Sequence, residues 1–462
     1  MGISAAMEIG KNGLSIYRVA TEVTSENIAN VNTPGYSRQR VILETAPPTN
    51  ANGFPMGTGV RIASVERYYD ALLQKQIVNA ETKQGYDTTK STVLQQIEPT
   101  FNDITNDGLG TAISDFFGAW QDLTLNPAGT AERQAVLTRA QILADNFHSV
   151  SKTLNDSIAM QNESLVPLTN DINATLANIA ELNGQIKTTE LVSGNANETR
   201  DQRDQLIREL SAKIGITFTE NSDGTTDIAY ADGGAALVTG TTAGSFSLVV
   251  NAGKYDVYVT PPAGVAAIVA PVTGELGATV ALRDTIIPGY RTQVDTLAKS
   301  VADTVNAVHT TAFNLAGATG QNFFTPPAAV SGAAAGLSLA AGLTTNTIAA
   351  SATLATLPGD NSKALAIARL INDTTTTAGT TYNSYYTNLV STIGLDVKAA
   401  KNTVAQDEAF TNQLSSLRES NSGVSLDEEL TNLVKYQRSY QASAKLITTA
   451  TEMMDTVIAL VR

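Results

Sequence analysis

Residues 25–39 read Ser25-Glu26-Asn27-Ile28-Ala29-Asn30-Val31-Asn32-Thr33-Pro34-Gly35-Tyr36-Ser37-Arg38-Gln39. This run turns a helix into a strand. Asn30 and Asn32 can satisfy free carbonyls or turn amides. Pro34 fixes φ at a turn's first corner, and Gly35 permits the positive φ of the second. Tyr36 opens an extended segment, residues 37–43, that carries β-branched Val41 and Ile42. Any helix-to-strand junction can use these residue types, so their chemistry alone describes a structural joint.

Upstream of the joint, Ile3, Met7, Gly10, Leu14, Tyr17, Thr21, Thr24, Ile28 and Val31 alternate in steps of four and three residues. At the other end Leu426, Leu430, Leu433, Gln437, Tyr440, Ala444, Ile447, Thr451, Met454, Ile458 and Val461 keep the same rhythm. Both are seams of heptad helices. Ser425 with Glu428 reads as a capping box at the start of the second. At 1.5 Å per residue the helices would be roughly 43 and 54 Å long and can lie side by side. The N-terminal seam is weak, because Gly10, Thr21 and Thr24 bury little. Either both ends pack on the protein's own core, or they are arms that gain order in a polymer. The expectation is arms, frayed in the free chain.

Between them, residues 64–215 read as mostly helical. Leu154, Ile158, Gln161, Leu165, Leu168, Ile172, Thr175, Ile179, Leu182 and Ile186 form a further heptad row, which Pro167 is expected to kink or restart. In the run from Glu198 to Leu210, Arg200, Asp204 and Arg208 are spaced four apart, the pattern of an ion-pair ladder, with Leu206, Ile207, Leu210 and Ile214 as the apolar face. From Ile216 to residue 282, glycine-bearing turns separate β-prone runs such as Phe246–Val250 and Tyr255–Val259. Helical spacing returns over 283–312, residues 313–357 are rich in Ala, Gly and Thr, and helices resume near Asn361.

Composition narrows the classes of function. A chain of 462 residues has room for about three domains at ~150 residues each. Its 44 acidic and 30 basic residues leave a net charge of −14, with no basic block larger than a pair. That argues against a nucleic-acid partner, which needs a basic footprint. There is no cysteine, so neither a disulfide framework nor thiol catalysis is available. No signal peptide is visible at the N-terminus, and no window approaches the apolar length of a membrane span.

Catalysis finds little to stand on. The two histidines, His148 and His309, lie in helical surroundings without metal-ligand spacing, and each reads as structural. No nucleophile elbow, P-loop or dinucleotide fingerprint occurs. Gly57-Thr58-Gly59 reads as a turn, and Glu428 with Glu429 as acids favoured by a helix dipole. The expectation is no enzyme, no catalytic or metal site and no cofactor.

The motif Asn27-Ile28-Ala29-Asn30 with Asn32-Thr33-Pro34-Gly35-Tyr36 resembles the N-terminal signature of bacterial flagellar axial proteins, the rod, hook and hook-associated subunits. Residues Tyr436-Gln437-Arg438-Ser439-Tyr440-Gln441-Ala442-Ser443-Ala444-Lys445 resemble the matching C-terminal signature. Tyr36-Ser37-Arg38-Gln39 and the internal run Arg200-Asp201-Gln202-Arg203-Asp204-Gln205-Leu206 are similar to the hook-associated protein 1 branch. Gly274-Glu275-Leu276-Gly277, Asn306-Ala307-Val308-His309, Asn322-Phe323-Phe324 and Gly423-Val424-Ser425-Leu426 follow the order of that family. The likeness covers nearly the whole chain.

The resulting expectation is an α+β multidomain protein. Long heptad-type terminal helices, residues 1–60 and 420–462, form a coiled-coil inner domain. A helical-bundle middle domain spans 61–215 and 283–419, with loops and short strands over 313–357. A small β-rich outer domain is inserted at 216–282. Assembly is expected to bury the seam residues Ile3, Met7, Leu14, Ile28, Leu426, Leu430, Leu433, Tyr440, Ala444, Ile447, Met454 and Ile458. The resemblance implies a structural subunit exported by the flagellar type III route without a cleavable signal, forming a ring at the hook tip that joins hook to filament. Its implied partners are copies of itself, the hook protein, a hook-associated protein 3 type subunit, and a cytoplasmic export chaperone at the C-terminal helix, with no nucleic acid and no membrane. Rival readings are a hook or distal rod subunit, a flagellum-associated wall hydrolase, and a secreted coiled-coil adhesin.

Overall fold

The computed structural model describes residues 2–51, 54–102, 108–192, 194–377 and 379–460. Helix α1 (Gly2–Ala29) ends where the side chain of Asn30 accepts from the Thr33 hydroxyl and the Asn30 carbonyl accepts from Thr33 N. Thr33 O then accepts from Tyr36 N at 3.2 Å across Pro34-Gly35, with Gly35 at φ +85°. This is the type II turn that the Pro-Gly pair favours. The chain continues into β1 (Gln39–Thr45), the small hairpin β2 (Thr49–Ala51) and β3 (Phe54–Met56), and β4 (Val60–Arg67), which returns antiparallel on β1 with Gln39 opposite Arg67.

Asp70 starts α2 (Ala71–Ile97), its carboxylate accepting from the amides of Leu72 and Leu73 at 2.9 and 3.0 Å. After α3 (Leu109–Leu123) comes α4 (Thr130–Val192), 63 residues long, or roughly 95 Å. Pro167 does not restart it. The proline is exposed, as is Glu163 one turn back, so water can satisfy the carbonyl that loses its partner. Around this position α4 passes from one core to another. Up to Leu154 its buried face joins one apolar cluster, and from Leu165 to Ile179 it joins a second.

The second cluster includes α5 (Asn197–Lys213) and two small sheets. Strands β5 (Ile216–Glu220), β6 (Thr226–Tyr230), β7 (Ala236–Thr239) and β8 (Thr242–Ala243) form one antiparallel sheet. Strands β9 (Ser245–Asn251), β10 (Lys254–Thr260) and β11 (Ala267–Ile268) form the other. Tyr230 and Phe246 meet edge to face at 5.5 Å between them. Asn183 and Asn173 on α4 bond the backbones of Thr226 and Phe246, fixing the sheets to the helix. The strands stop at Ile268, so the end of the segment read as β-rich is helical: α6 (Gly274–Ala281) packs on α2 and α5.

A π-helical turn, Leu282–Ile286, leads from α6 into α7 (Ile287–His309). The Ala-rich stretch then holds β12 (Phe313–Asn314), α8 (Ala333–Gly336), β13 (Ala349–Ser351) and a 3-10 turn over Leu354–Thr356. Phe323 and Phe324 anchor it against Phe116 and Trp120 of α3 in the first core, which α9 (Ser362–Arg369) and α10 (Tyr382–Ser422) complete.

Helix α11 (Leu426–Leu460) runs back antiparallel along α1, with Tyr17 stacked on Tyr436 at 6.4 Å. Gly10, a weak residue of the N-terminal seam, lets the two approach closely, since a Cβ added there would lie 2.6 Å from Ile447 Cγ1. The two end helices pair within the single chain, yet Glu429 and Ala450 are the fully buried residues of α11. The row turned toward α1 is Glu429, Leu433, Tyr436, Ser443, Ile447, Ala450 and Met454, all buried or half-buried. The expected seam is therefore split. Ile3, Met7, Leu14 and Ile28 of α1, with Leu433, Ala444, Ile447 and Met454 of α11, are half-buried. Leu426, Leu430, Tyr440 and Ile458 stand 42–57% exposed. Val461 lies outside the described residues.

Candidate functional site

The side chain of Asn27 lies buried two residues before the end of α1 and uses its whole amide. Oδ1 accepts from the Tyr36 hydroxyl and from Gln39 N, each at 2.9 Å. Nδ2 donates to Gln39 O at 2.9 Å and to Glu429 Oε2 at 3.1 Å. One carboxamide thus holds the first helix, the turn, the first strand and the last helix. Burial pushes the Tyr36 hydroxyl well above its ordinary pKa, so it stays a donor.

Arg38 and Glu429 extend this joint. Arg38 donates to Glu429 Oε1 at 2.7 Å and to Glu428 Oε2 at 2.6 Å, while its backbone N–H donates to Ser422 O at 2.8 Å. The guanidinium also lies over the Tyr68 ring at 5.4 Å. Glu429 is only 2% exposed, and a carboxylate so buried has to be compensated. The capping box is not what Glu428 serves: its carboxylate goes to Arg38. On the other side, Arg418 of α10 donates to Gly35 O at 2.6 Å.

The internal signature completes the site. Asp201 Oδ2 accepts from Ser37 N at 2.8 Å, and its Oδ1 takes Arg67 Nη1 at 2.6 Å. Arg67 also reaches Asp204 at 2.7 Å and lies over the Tyr69 ring at 4.3 Å. Burial holds the Asp201 carboxyl above its ordinary pKa even with Arg67 alongside. Asn197 donates to Gln39 Oε1 at 2.9 Å. The two runs singled out in the sequence, 27–39 and 200–206, are therefore in direct contact.

The ladder expected of Arg200, Asp204 and Arg208 does not form, because each has a partner elsewhere. Arg200 grips Glu190 with two bonds of 2.7 and 2.9 Å and pairs with Glu220, Asp204 faces Arg67, and Arg208 bonds Gln205. Arg203 is buried and donates to Asn183 Oδ1 at 3.0 Å and Gly224 O at 2.7 Å, tying α5 to α4 and the sheet turn. Leu206 packs, partly buried, against the second core. Of the remaining signature residues, Ile28 is half-buried, whereas Ala29, Asn32, Thr33 and Pro34 face solvent.

Arg38, Gln39, Arg67, Asn197, Arg418 and Glu429 were missed as site residues. The available signal was a run of acids, Asp427, Glu428 and Glu429, in the first turn of α11, with Arg38 and Arg40 just beyond the Pro-Gly turn. Chemically the arrangement is a mechanical knot of amides, carboxylates and guanidinium groups. The histidines lie apart from it: His148 bonds Leu337 O at 2.7 Å, and buried His309 accepts from Ala349 N at 2.9 Å, with burial lowering its pKa. Among the described residues no group of three or more acidic, His or Cys side chains is placed to hold a metal ion, and no helix is long and apolar enough to cross a membrane.

A model of the flagellar hook-associated protein FlgK helical domain matches residues 94–324. A model of the flagellar basal body rod FlgEFG protein C-terminal region matches 418–460, and one of flagella basal body rod protein matches 7–36. Flagellar hook-associated protein 1 of Bacillus subtilis (strain 168) is 28% identical over 494 residues, covering 98% of this chain and 97% of the relative. Its namesake in Escherichia coli (strain K12) is 26% identical, covering 99% and 100%. The structure of the flagellar hook junction protein FlgK from Burkholderia pseudomallei shares the fold, with a TM-score of 0.67 at 18% identity over 75% of this chain and 100% of that one.

Proposed function

Since the chain belongs to the flagellar hook-associated protein 1 family, we propose how it works as the structural subunit that joins hook to filament. The observation that carries the reading is the knot at Asn27, Arg38, Arg67, Asp201 and Glu429. It clamps the paired end helices to the β1–β4 ribbon and to α5, so load on the end helices passes into the body of the subunit. The roles of the signature residues Asn27 to Tyr36 and Arg200 to Leu206 are those of a rigid joint rather than of a catalytic centre, and the protein is not an enzyme.

In this reading α1 and α11 form the inner layer, the α2–α4–α7–α10 bundle the middle one, and the two small sheets the outer one. Leu426, Leu430, Val434, Tyr440, Met453, Val457 and Ile458 are exposed on α11, a density of apolar surface that marks an assembly face. Copies of the chain in a ring cover it, each fully buried Leu or Ile contributing roughly 1.5–3 kcal/mol. The hook lies below the ring, a further junction subunit of the hook-associated protein 3 type lies above it, and an export chaperone shields the same helix before secretion. The assembled ring is extracellular.

Electron microscopy of cells lacking the gene, with flagellin assayed in the medium, tests this. Hooks without filaments and flagellin lost outside are expected. Absent hooks would move the subunit down to the hook or rod, and normal filaments would remove it from the junction.

A further inference from the structure

Facing the Pro34-Gly35 turn, α4 and α5 leave a cleft of ≈ 580 Å³ floored by Leu182 and Leu206 and rimmed by Glu181, Glu198 and Gln202. Of the three carboxylates that line it, Asp201 belongs to the knot, whereas Glu181 and Glu198 do not. Glu190, Asp201, Asp204 and Glu220 each meet an arginine. Among the described residues, Glu26, Glu181 and Glu198 meet no cation. Glu181 accepts a bond from Gln185, and Glu26 lies beside Glu198. The neighbouring Glu198 carboxyl, together with burial, pushes the Glu26 carboxyl up to about 7. A carboxyl pair that holds a proton for want of a counter-ion is preorganised for a cation. An arginine or lysine entering here can lay its stem on Leu182 and Leu206 while its head reaches the acids.

A complementary surface lies on α11. Lys435, Arg438 and Lys445 are exposed on one side of the helix, with small Ala442 between them. They form no ion pair among the described residues of a chain whose net charge is −14. Arg438 and Lys445 lie beyond the joint of their own chain. Glu429 is fixed at the joint by Asn27, and from there α11 carries Arg438 roughly 13 Å further along α1.

We propose that the cleft between the Pro34-Gly35 turn and α4–α5 receives the Lys435–Arg438–Lys445 face of α11 from a second copy of this chain. The proposal rests on the self-assembly reading above and adds which surfaces meet. It makes each subunit's rigid joint the seat for its neighbour's end helix, so that the signature turn serves cohesion between copies as well as within one.

Charge exchange tests it in cells producing the full chain. Glu181→Lys with Glu198→Lys, and separately Lys435→Glu with Arg438→Glu, should each lower the chain recovered in isolated flagella at least about tenfold, since like charges face each other across the contact. Melting of the purified variants should match the parent, and combining all four changes should restore incorporation. Normal incorporation of either pair, or no recovery in the combination with folding intact, would overturn the proposal. Because the chain has no cysteine, Glu198→Cys with Arg438→Cys gives a second readout. Mild oxidation of flagella should join one chain to the next, and a bridge within one chain or no bridge at all would also overturn it. A parent chain missing from flagella would instead overturn the assembly reading beneath.

Discussion

The Asn27 carboxamide of α1 stands 3.1 Å from the Glu429 carboxylate of α11, joining residues 402 positions apart. Because Asn27 also bonds Tyr36 and both backbone atoms of Gln39, the pairing of the two ends and the course of the turn are set by one side chain.

An Asn27→Asp change keeps the shape but loses the donor and sets two buried carboxylates against each other. Loss of a charge-assisted bond plus a new unpaired acid should cost about 2–4 kcal/mol. Urea unfolding with hydrogen exchange in α1 measures this, and exchange in α1 unchanged from the parent would count against the joint.

Arg67→Met should be harsher, at about 3–5 kcal/mol, because Asp201 and Asp204 remain buried without their cation. Burial already raises the Asp201 carboxyl, so the variant should regain stability as pH falls and Asp201 takes up a proton. Melts at pH 5 and pH 8 check the sign. A variant that weakens on acidification more than the parent would contradict it.

Glu26 gives a pH dependence of its own. Its carboxyl is raised from 4.5 to about 7, so the folded chain prefers it protonated. That contribution is complete below about 4.5 and lost as pH rises through about 7. Glu26→Gln, which removes the ionisation, should therefore stabilise the chain relative to the parent at pH 8 and have little effect at pH 4. An equal effect at both pH values would count against the carboxyl pair.

Leu433→Asp should block incorporation into flagella without lowering the melting of the body, because Leu433 lies half-buried in α11, outside the two cores of the body. In the free chain, limited proteolysis should cut α11 before α4 or α10. End helices as protected as the body would mean that they need no neighbours.

Much of this was legible in the sequence because local rules decide it. Pro34-Gly35 dictated its turn, the heptad rhythm its helices, and the glycine-spaced β-prone runs their strands. Three misreadings have one cause, which is long-range pairing. Arg200, Asp204 and Arg208 have ladder spacing, but Glu190, Glu220 and Arg67 offered better partners. Glu428 was read as a cap, although Arg38 claims it. The α11 seam was drawn through its apolar residues, yet the close approach at Gly10 and the Asn27–Glu429 bond turn another row toward α1, leaving Leu426, Leu430, Tyr440 and Ile458 exposed. Pro167 favours a kink or a restart, yet the helix persists with Pro167 and Glu163 one turn back both exposed, where water can satisfy the freed carbonyl.

The most direct measurement is gold labelling of an epitope-tagged chain on isolated flagella, viewed by electron microscopy. The account predicts a single narrow band of label where hook meets filament. Label spread along the hook, within the rod, or absent from the axial structure would contradict it.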